Sequence, residues 1–235
     1  MSYGYPSTKN PRLLILLTDE LEESVMIVNR LIDQQIMINF SGDSPRNRCF
    51  ISVIGYNHHI KDLCSGWLKD IDDSPLHYEI LKKKIPDGTG HLVELEIMHP
   101  IWVEETKETF SFIHYAEAIK LAKEIAEKWA EDYALPPIVI DCSTNCHAEC
   151  ALYEIEQIKN IQTKDGDLLF FSCYCNGENI PKYIFSKIPK EWDCILDKCE
   201  IMRTNTSAGC FTPDTIWGII SGMSDCAGEA GVSVC

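Results

Sequence analysis

Hydrophobic and polar positions along this chain fall into runs of two kinds, one continuous and one with helical spacing. Leu13–Leu17 is a continuous apolar run, the signature of a strand buried on both faces. From Ser24 to about Phe40 the apolar residues Val25, Ile27, Val28, Leu31, Ile32, Ile36 and Ile38 follow a helical period. Ser41 to Asn47 reads as a turn, and Cys49–Gly55 as a second buried strand. The stretch Cys64-Ser-Gly-Trp-Leu predicts a short strand or turn, and Asp70–Asp73 a loop. Pro86-Asp-Gly-Thr-Gly is a turn signal, and the alternation across His91–Met98 predicts an edge or hairpin strand. Tyr115–Tyr133 is an amphipathic helix with Ala118, Ile119, Ala122, Ile125, Ala126 and Trp129 on one face. Ile138–Cys142 is the next buried strand. Glu149–Ile161 reads as a helix, Asp167–Cys175 as a strand, and Trp217 onward as a final helix.

Strands separated by helices over one compact length predict an α/β, Rossmann-like three-layer sandwich, its central mostly parallel sheet flanked by helices. Residues 1–11 read as an N-terminal tail and residues 12–235 as a single domain, long enough to bury a full core. No Gly-x-Gly-x-x-Gly follows a strand and no Walker loop is present, so no nucleotide fingerprint appears.

Composition narrows the partners. With 21 basic and 36 acidic residues the formal net charge is -15. Nucleic acid needs Lys and Arg on its phosphates, and anionic membrane surfaces need the same, so both are excluded as expected partners. A basic protein or a cation fits the charge. No run reaches the ~18 apolar residues of a membrane span, and the N-terminus lacks a signal peptide's apolar core, so a cytoplasmic location is expected. Twelve cysteines are then expected to be thiols rather than a disulfide framework.

The first strand runs straight into Asp19, Glu20, Glu22 and Glu23, four acids in five positions, with a helix pattern next. Ligand sites in open α/β sheets lie just past the carboxyl ends of strands, so this loop stands where a site belongs. Acids at a helix N-terminus are also what the macrodipole favours, so a solvated helix start accounts for several of them without any ligand.

Several segments in order carry a family resemblance: Leu13-Leu-Ile-Leu-Leu-Thr-Asp19, Ile27-Val-Asn-Arg-Leu-Ile-Asp33, Asn47 through Asn57, Pro100-Ile-Trp-Val-Glu104, Ala118 through Trp129, and Pro136-Pro-Ile-Val-Ile140. Over roughly Pro11 to Phe171 the chain resembles a bacterial cytoplasmic von Willebrand factor A (vWA) domain, TerY-like. The resemblance implies a metal-ion-dependent adhesion site, in which Mg²⁺ takes oxygen ligands from an Asp-x-Ser-x-Ser loop, a Thr before a helix and the Asp of a Thr-Asp-Gly turn. Here Asp19 matches the first Asp, but Leu21 and Glu23 replace the two Ser, the Thr position falls near Ile113, and Thr144 replaces the last Asp. The site is therefore degenerate. The expectation that follows is a non-enzymatic interaction module that docks another protein through Asp19, Glu20, Glu22, Glu23, Ser143 and Thr144. That partner would belong to a multi-protein system with a kinase or phosphatase encoded nearby. The alternative within the family is a substituted Mg²⁺ site built on Asp19 and Glu23.

A rival from another class is a thiol- or zinc-dependent enzyme using Cys142, Cys146, Cys173 and Cys175, with His147 as a further zinc ligand. The spacing lacks a paired Cys-x-x-Cys, and Cys on buried strands is most often a core residue. No motif fixes His58, His59, His114 or His147 beside a particular thiol. Trp102 and Trp129 read as packing anchors.

Overall fold

A computed structural model describes residues 6–86, 88, 91–107, 114–144, 151–174 and 182–185. In chain order the elements are β1 (Arg12–Thr18), α1 (Glu22–Asn39), β2 (Phe40–Ser41), β3 (Ser44–Pro45), β4 (Cys49–Gly55), β5 (Lys61–Trp67) and α2 (Leu68–Asp72). They continue with β6 (His77–Pro86), β7 (Leu92–Ile101), α3 (Tyr115–Asp132), β8 (Ile138–Ser143), α4 (Leu152–Lys159), β9 (Gln162–Thr163), β10 (Gly166–Asp167), β11 (Leu169–Tyr174) and β12 (Lys182–Phe185).

Six strands form the central sheet in the order β12-β11-β8-β1-β4-β5. The four inner strands are mutually parallel, and β5 and β12 run antiparallel at the two edges. Numbering only these six by sequence gives 3-2-1-4-5-6, an order found in doubly wound α/β sheets. In that order the connections leave β1 in opposite directions, so a crevice opens between the carboxyl ends of β1 and β8.

The continuous apolar runs are explained by packing on both faces. Leu14 and Leu16 of β1 join Ile51, Val53, Ile138 and Ile140 under α1 and α2. Leu13, Ile15 and Leu17 face the other way, with Val139, Phe170 and the Ala118, Ile119, Ala122 and Ala126 stripe of α3. Alternate residues of one strand thus feed two cores, which is why period-2 polarity is absent from β1. Within α1, Val25, Val28, Leu31, Ile32 and Ile36 are buried, the i, i+3, i+4 pattern of a helix with one wet face.

Several sequence expectations are refined. Asp70–Asp73, expected as a loop, lies largely within the short helix α2, which buries Leu68 and Ile71. Cys64–Trp67 belongs to a full seven-residue edge strand. The strand expected at His91–Met98 is β7, and its hairpin partner is β6, which the sequence reading did not find. Trp102 is buried and donates Nε1 to the Ile71 carbonyl at 2.8 Å, and half-buried Trp129 packs on Phe50, Trp67 and Tyr133. Both tryptophans are packing anchors, as expected. The helix expected from Trp217 lies outside the described residues. Among the described residues no helix is long and apolar enough to cross a membrane.

Candidate functional site

Asp19 sits in the crevice between β1 and β8 and is only 1% exposed. Its Oδ1 accepts from the Ser24 hydroxyl at 2.5 Å and from the Leu21 backbone N–H at 3.3 Å. Its Oδ2 accepts from both the backbone N–H and the hydroxyl of Thr144, at 2.7 and 2.8 Å. Four donors from the first loop, the start of α1 and the end of β8 therefore converge on one carboxylate. A chain of hydroxyls feeds it. The Glu20 N–H donates to Thr18 Oγ1 at 3.0 Å, and Thr18 Oγ1 lies 3.0 Å from Ser24 Oγ. Since Ser24 gives its proton to Asp19, Thr18 donates to Ser24. Leu21 stands at the N-cap of α1 without a side-chain cap, and the Asp19 carboxylate takes that role for its N–H.

Glu20 is the one described non-glycine residue with positive φ, at 60°. That left-handed turn folds its side chain back over the end of β4, where it is 1% exposed. Its Oε2 lies 2.6 Å from Lys61 Nζ, and its Oε1 accepts from the Asn57 N–H at 3.3 Å. A Cβ added at Gly55 would come 2.5 Å from Glu20 Oε1, so glycine is needed there to admit the carboxylate. The Glu20 carbonyl accepts from Thr106 N–H at 2.8 Å, tying the 102–107 segment to the same loop.

Of the residues expected to form the site, Asp19 and Thr144 meet directly. Glu22 is exposed and Glu23 half-exposed in the first turn of α1, where negative charge is favoured. Ser143 is buried, its hydroxyl 3.5 Å from Asp141 Oδ2. Ile113, the position matched to the family's Thr, lies outside the described residues. Cys142 and Cys173 occupy paired register positions on adjacent parallel strands, as expected if those strands are neighbours. Cys146, His147 and Cys175 fall outside the described residues. Among the described residues no group of three or more His, Cys, Asp or Glu side chains is placed to hold a metal ion.

Sequence reasoning missed Asp141 and Tyr56. Asp141 lies one strand over from Asp19, is buried, and accepts from the Tyr56 hydroxyl at 2.8 Å. Burial pushes its carboxyl up to about 7 and the nearby Asp19 charge adds to this, while hydrogen bonding with Tyr56, Tyr115 and Ser143 pulls it back. Burial likewise holds the Tyr56 hydroxyl well above the usual phenol range. The signal was available: one acid inside the apolar run Ile138–Cys142 is a charge that must be buried or paired.

Beside this crevice a cleft of about 270 Å³ opens at the β5 side of the loop. Leu63, Leu76, Trp102 and Val103 line it together with Glu20, Lys61 and Thr106, and Glu104 and Glu105 complete the lining. Glu104 and Glu105 are both exposed. Asn29 of α1 fixes this segment by accepting from the N–H groups of Trp102 and Val103, at 2.9 and 3.1 Å, and donating to the Val103 carbonyl at 2.8 Å.

The chain matches no protein-family model, no curated protein and no solved structure.

Proposed function

We propose that this protein is a non-enzymatic, vWA-type interaction module that binds a basic protein at the acidic end of its sheet, without a metal. The observation that carries the reading is the state of Asp19. All four of its acceptor positions are taken by hydrogen donors of the chain itself. A hard dication needs those same oxygens, and near-octahedral geometry. Leu21 brings no oxygen side chain to the loop, and the Glu20 carboxylate is committed to Lys61 and Asn57. On this reading Asp19 serves to lock the loop rather than to hold Mg²⁺.

Docking then falls to the acids that reach solvent around the lock, which are Glu22 and half-exposed Glu23 of α1 together with Glu104 and Glu105 at the cleft. The sequence-derived surface of Asp19, Glu20, Ser143 and half-buried Thr144 becomes its support. The cleft joins apolar Leu63, Leu76, Trp102 and Val103 to the acids Glu104 and Glu105, and its own cation, Lys61, is paired with Glu20, which fits a long side chain ending in a cation. The family resemblance supports a partner within a multi-protein bacterial system.

Co-purification from the native host, identified by mass spectrometry, tests this. The same partner should be recovered by the wild type and lost with the charge-reversed triple variant Glu22→Lys, Glu104→Lys, Glu105→Lys. A partner retained by that folded variant sinks the reading. So does a melting temperature that rises with Mg²⁺ well beyond the rise in Na⁺ of equal ionic strength and loses that excess in Asp19→Ala.

A further inference from the structure

The hairpin β6–β7 leaves the body of the protein as a two-stranded arm, with ten residues in each strand and ten paired positions. Its extensive contacts are between its own two strands. A lone two-stranded hairpin is marginal in water, and three or more strands with an apolar face are needed for independent stability. The arm is nonetheless apolar where it meets solvent. Val93, Leu95 and Ile97 line one face of β7 at 49%, 45% and 38% exposure, and Ile80 of β6 is 64% exposed.

The arm's two open edges differ. β6 carries Lys82-Lys83-Lys84 in succession and ends on Pro86, the devices that keep an edge strand from pairing. β7 has no Lys, and its one Pro, Pro100, stands next to its last residue, leaving Leu92 to His99 without either device. Its outer row of backbone groups is therefore the edge left able to accept another strand. The arm also differs in charge from the body. Its strands hold three Lys and three Glu in a chain of net charge -15. Two copies of so acidic a protein repel at most surfaces but not here. Glu94 and Glu96, the acids that two β7 strands would bring together, are each already paired with Lys82, at 3.1 and 3.7 Å.

From these features we infer that two copies of this chain associate through β7, edge to edge and antiparallel about a twofold axis. Pairing converts two marginal hairpins into one four-stranded sheet, and an isologous contact closes at the dimer. The eight residues Leu92 to His99 span about 26 Å, with side chains reaching about 5 Å to either side, so pairing hides on the order of 600–800 Å² in total. That is below the standard size of specific interfaces, so the association is a weak one. The base of the arm adjoins the acidic face, where His77 Nδ1 lies 3.3 Å from Glu104 Oε1, but the test of the pairing edge does not involve that partner.

Sedimentation velocity of the full chain over about 1 to 200 µM reads the outcome directly. The wild type should move from its monomer mass of 26.7 kDa toward twice that value. Leu95→Lys, which places on β7 the protection β6 already has, should remain monomeric throughout. Ile80→Lys, the same change at an exposed position on the protected strand, should dimerise like the wild type. Should Leu95→Lys alter the far-ultraviolet spectrum, Ile97→Lys takes its place. A wild type that stays monomeric overturns the inference, as does growth beyond the dimer or equal loss of association in Ile80→Lys.

Discussion

Asp141 illustrates how one residue at the end of a strand couples the site to solution conditions. Its carboxyl is raised from 3.8 to about 7, burial being the main cause. Between those values the folded chain holds a proton that the unfolded chain has released. Stability from this group is therefore full below pH 3.8 and is lost as pH rises toward and past 7. Asp141→Asn keeps the shape and an acceptor for Tyr56 but cannot ionise. Thermal melts should show the variant gaining on the wild type between pH 5 and pH 8, by on the order of a few kcal/mol at the upper end. A gap that does not widen with pH would mean that Asp141 ionises freely in the fold. Gly55 makes a steric counterpart. Gly55→Ala puts a methyl against the Glu20 carboxylate and should destabilise by about 1–3 kcal/mol. In a Glu20→Ala background the same substitution should cost distinctly less, and a double-mutant cycle measures the difference. Half of this site was legible beforehand. Asp19 stands out because an apolar strand runs straight into it, and Thr144 through the family pattern laid on the end of a later strand. The Glu20 fold-back and the Tyr56–Asp141 bond were not, because they depend on which strands become neighbours.

Elements show the same division. β1, β4, β8 and α3 were readable because each writes its burial into its own residues: continuous apolar runs for strands with two covered faces, a 3.6-residue stripe for the helix. β6 escaped because three successive lysines hide the alternation that would mark a strand. α2, five residues long, is held by the burial of Leu68 and Ile71 rather than by any helical pattern. Long-range pairing is equally invisible in sequence. Asn29 lies within an ordinary amphipathic helix, yet it holds the backbone of Trp102 and Val103 more than seventy residues away. Asn29→Ala strands two backbone N–H groups and a carbonyl in a buried setting. It should destabilise by roughly 2–4 kcal/mol in denaturant melts. A loss well under about 1 kcal/mol would mean that this side chain is not what holds the segment.

At the scale of the whole molecule, an excess of fifteen negative charges opposes compaction. Self-repulsion is relieved by ions in solution, so the melting temperature should rise with added NaCl. MgCl₂ matched in ionic strength should do no more than this general screening predicts, and a clearly larger rise would reopen the cation reading. On the proposed reading, a basic partner would be drawn to the anionic sheet end and a second copy to the locally balanced hairpin arm. The lock on Asp19 has a further consequence, in time rather than space. Its donors come from stretches as far apart as Leu21 and Thr144, so none of the bonds can open alone without leaving the carboxylate short of partners in a buried place. The amide protons of Leu21 and Thr144 should therefore exchange with solvent at rates governed by one shared opening, and Ser24→Ala should speed both together. Two amides far apart in the chain would then keep a common clock, set by a single carboxylate.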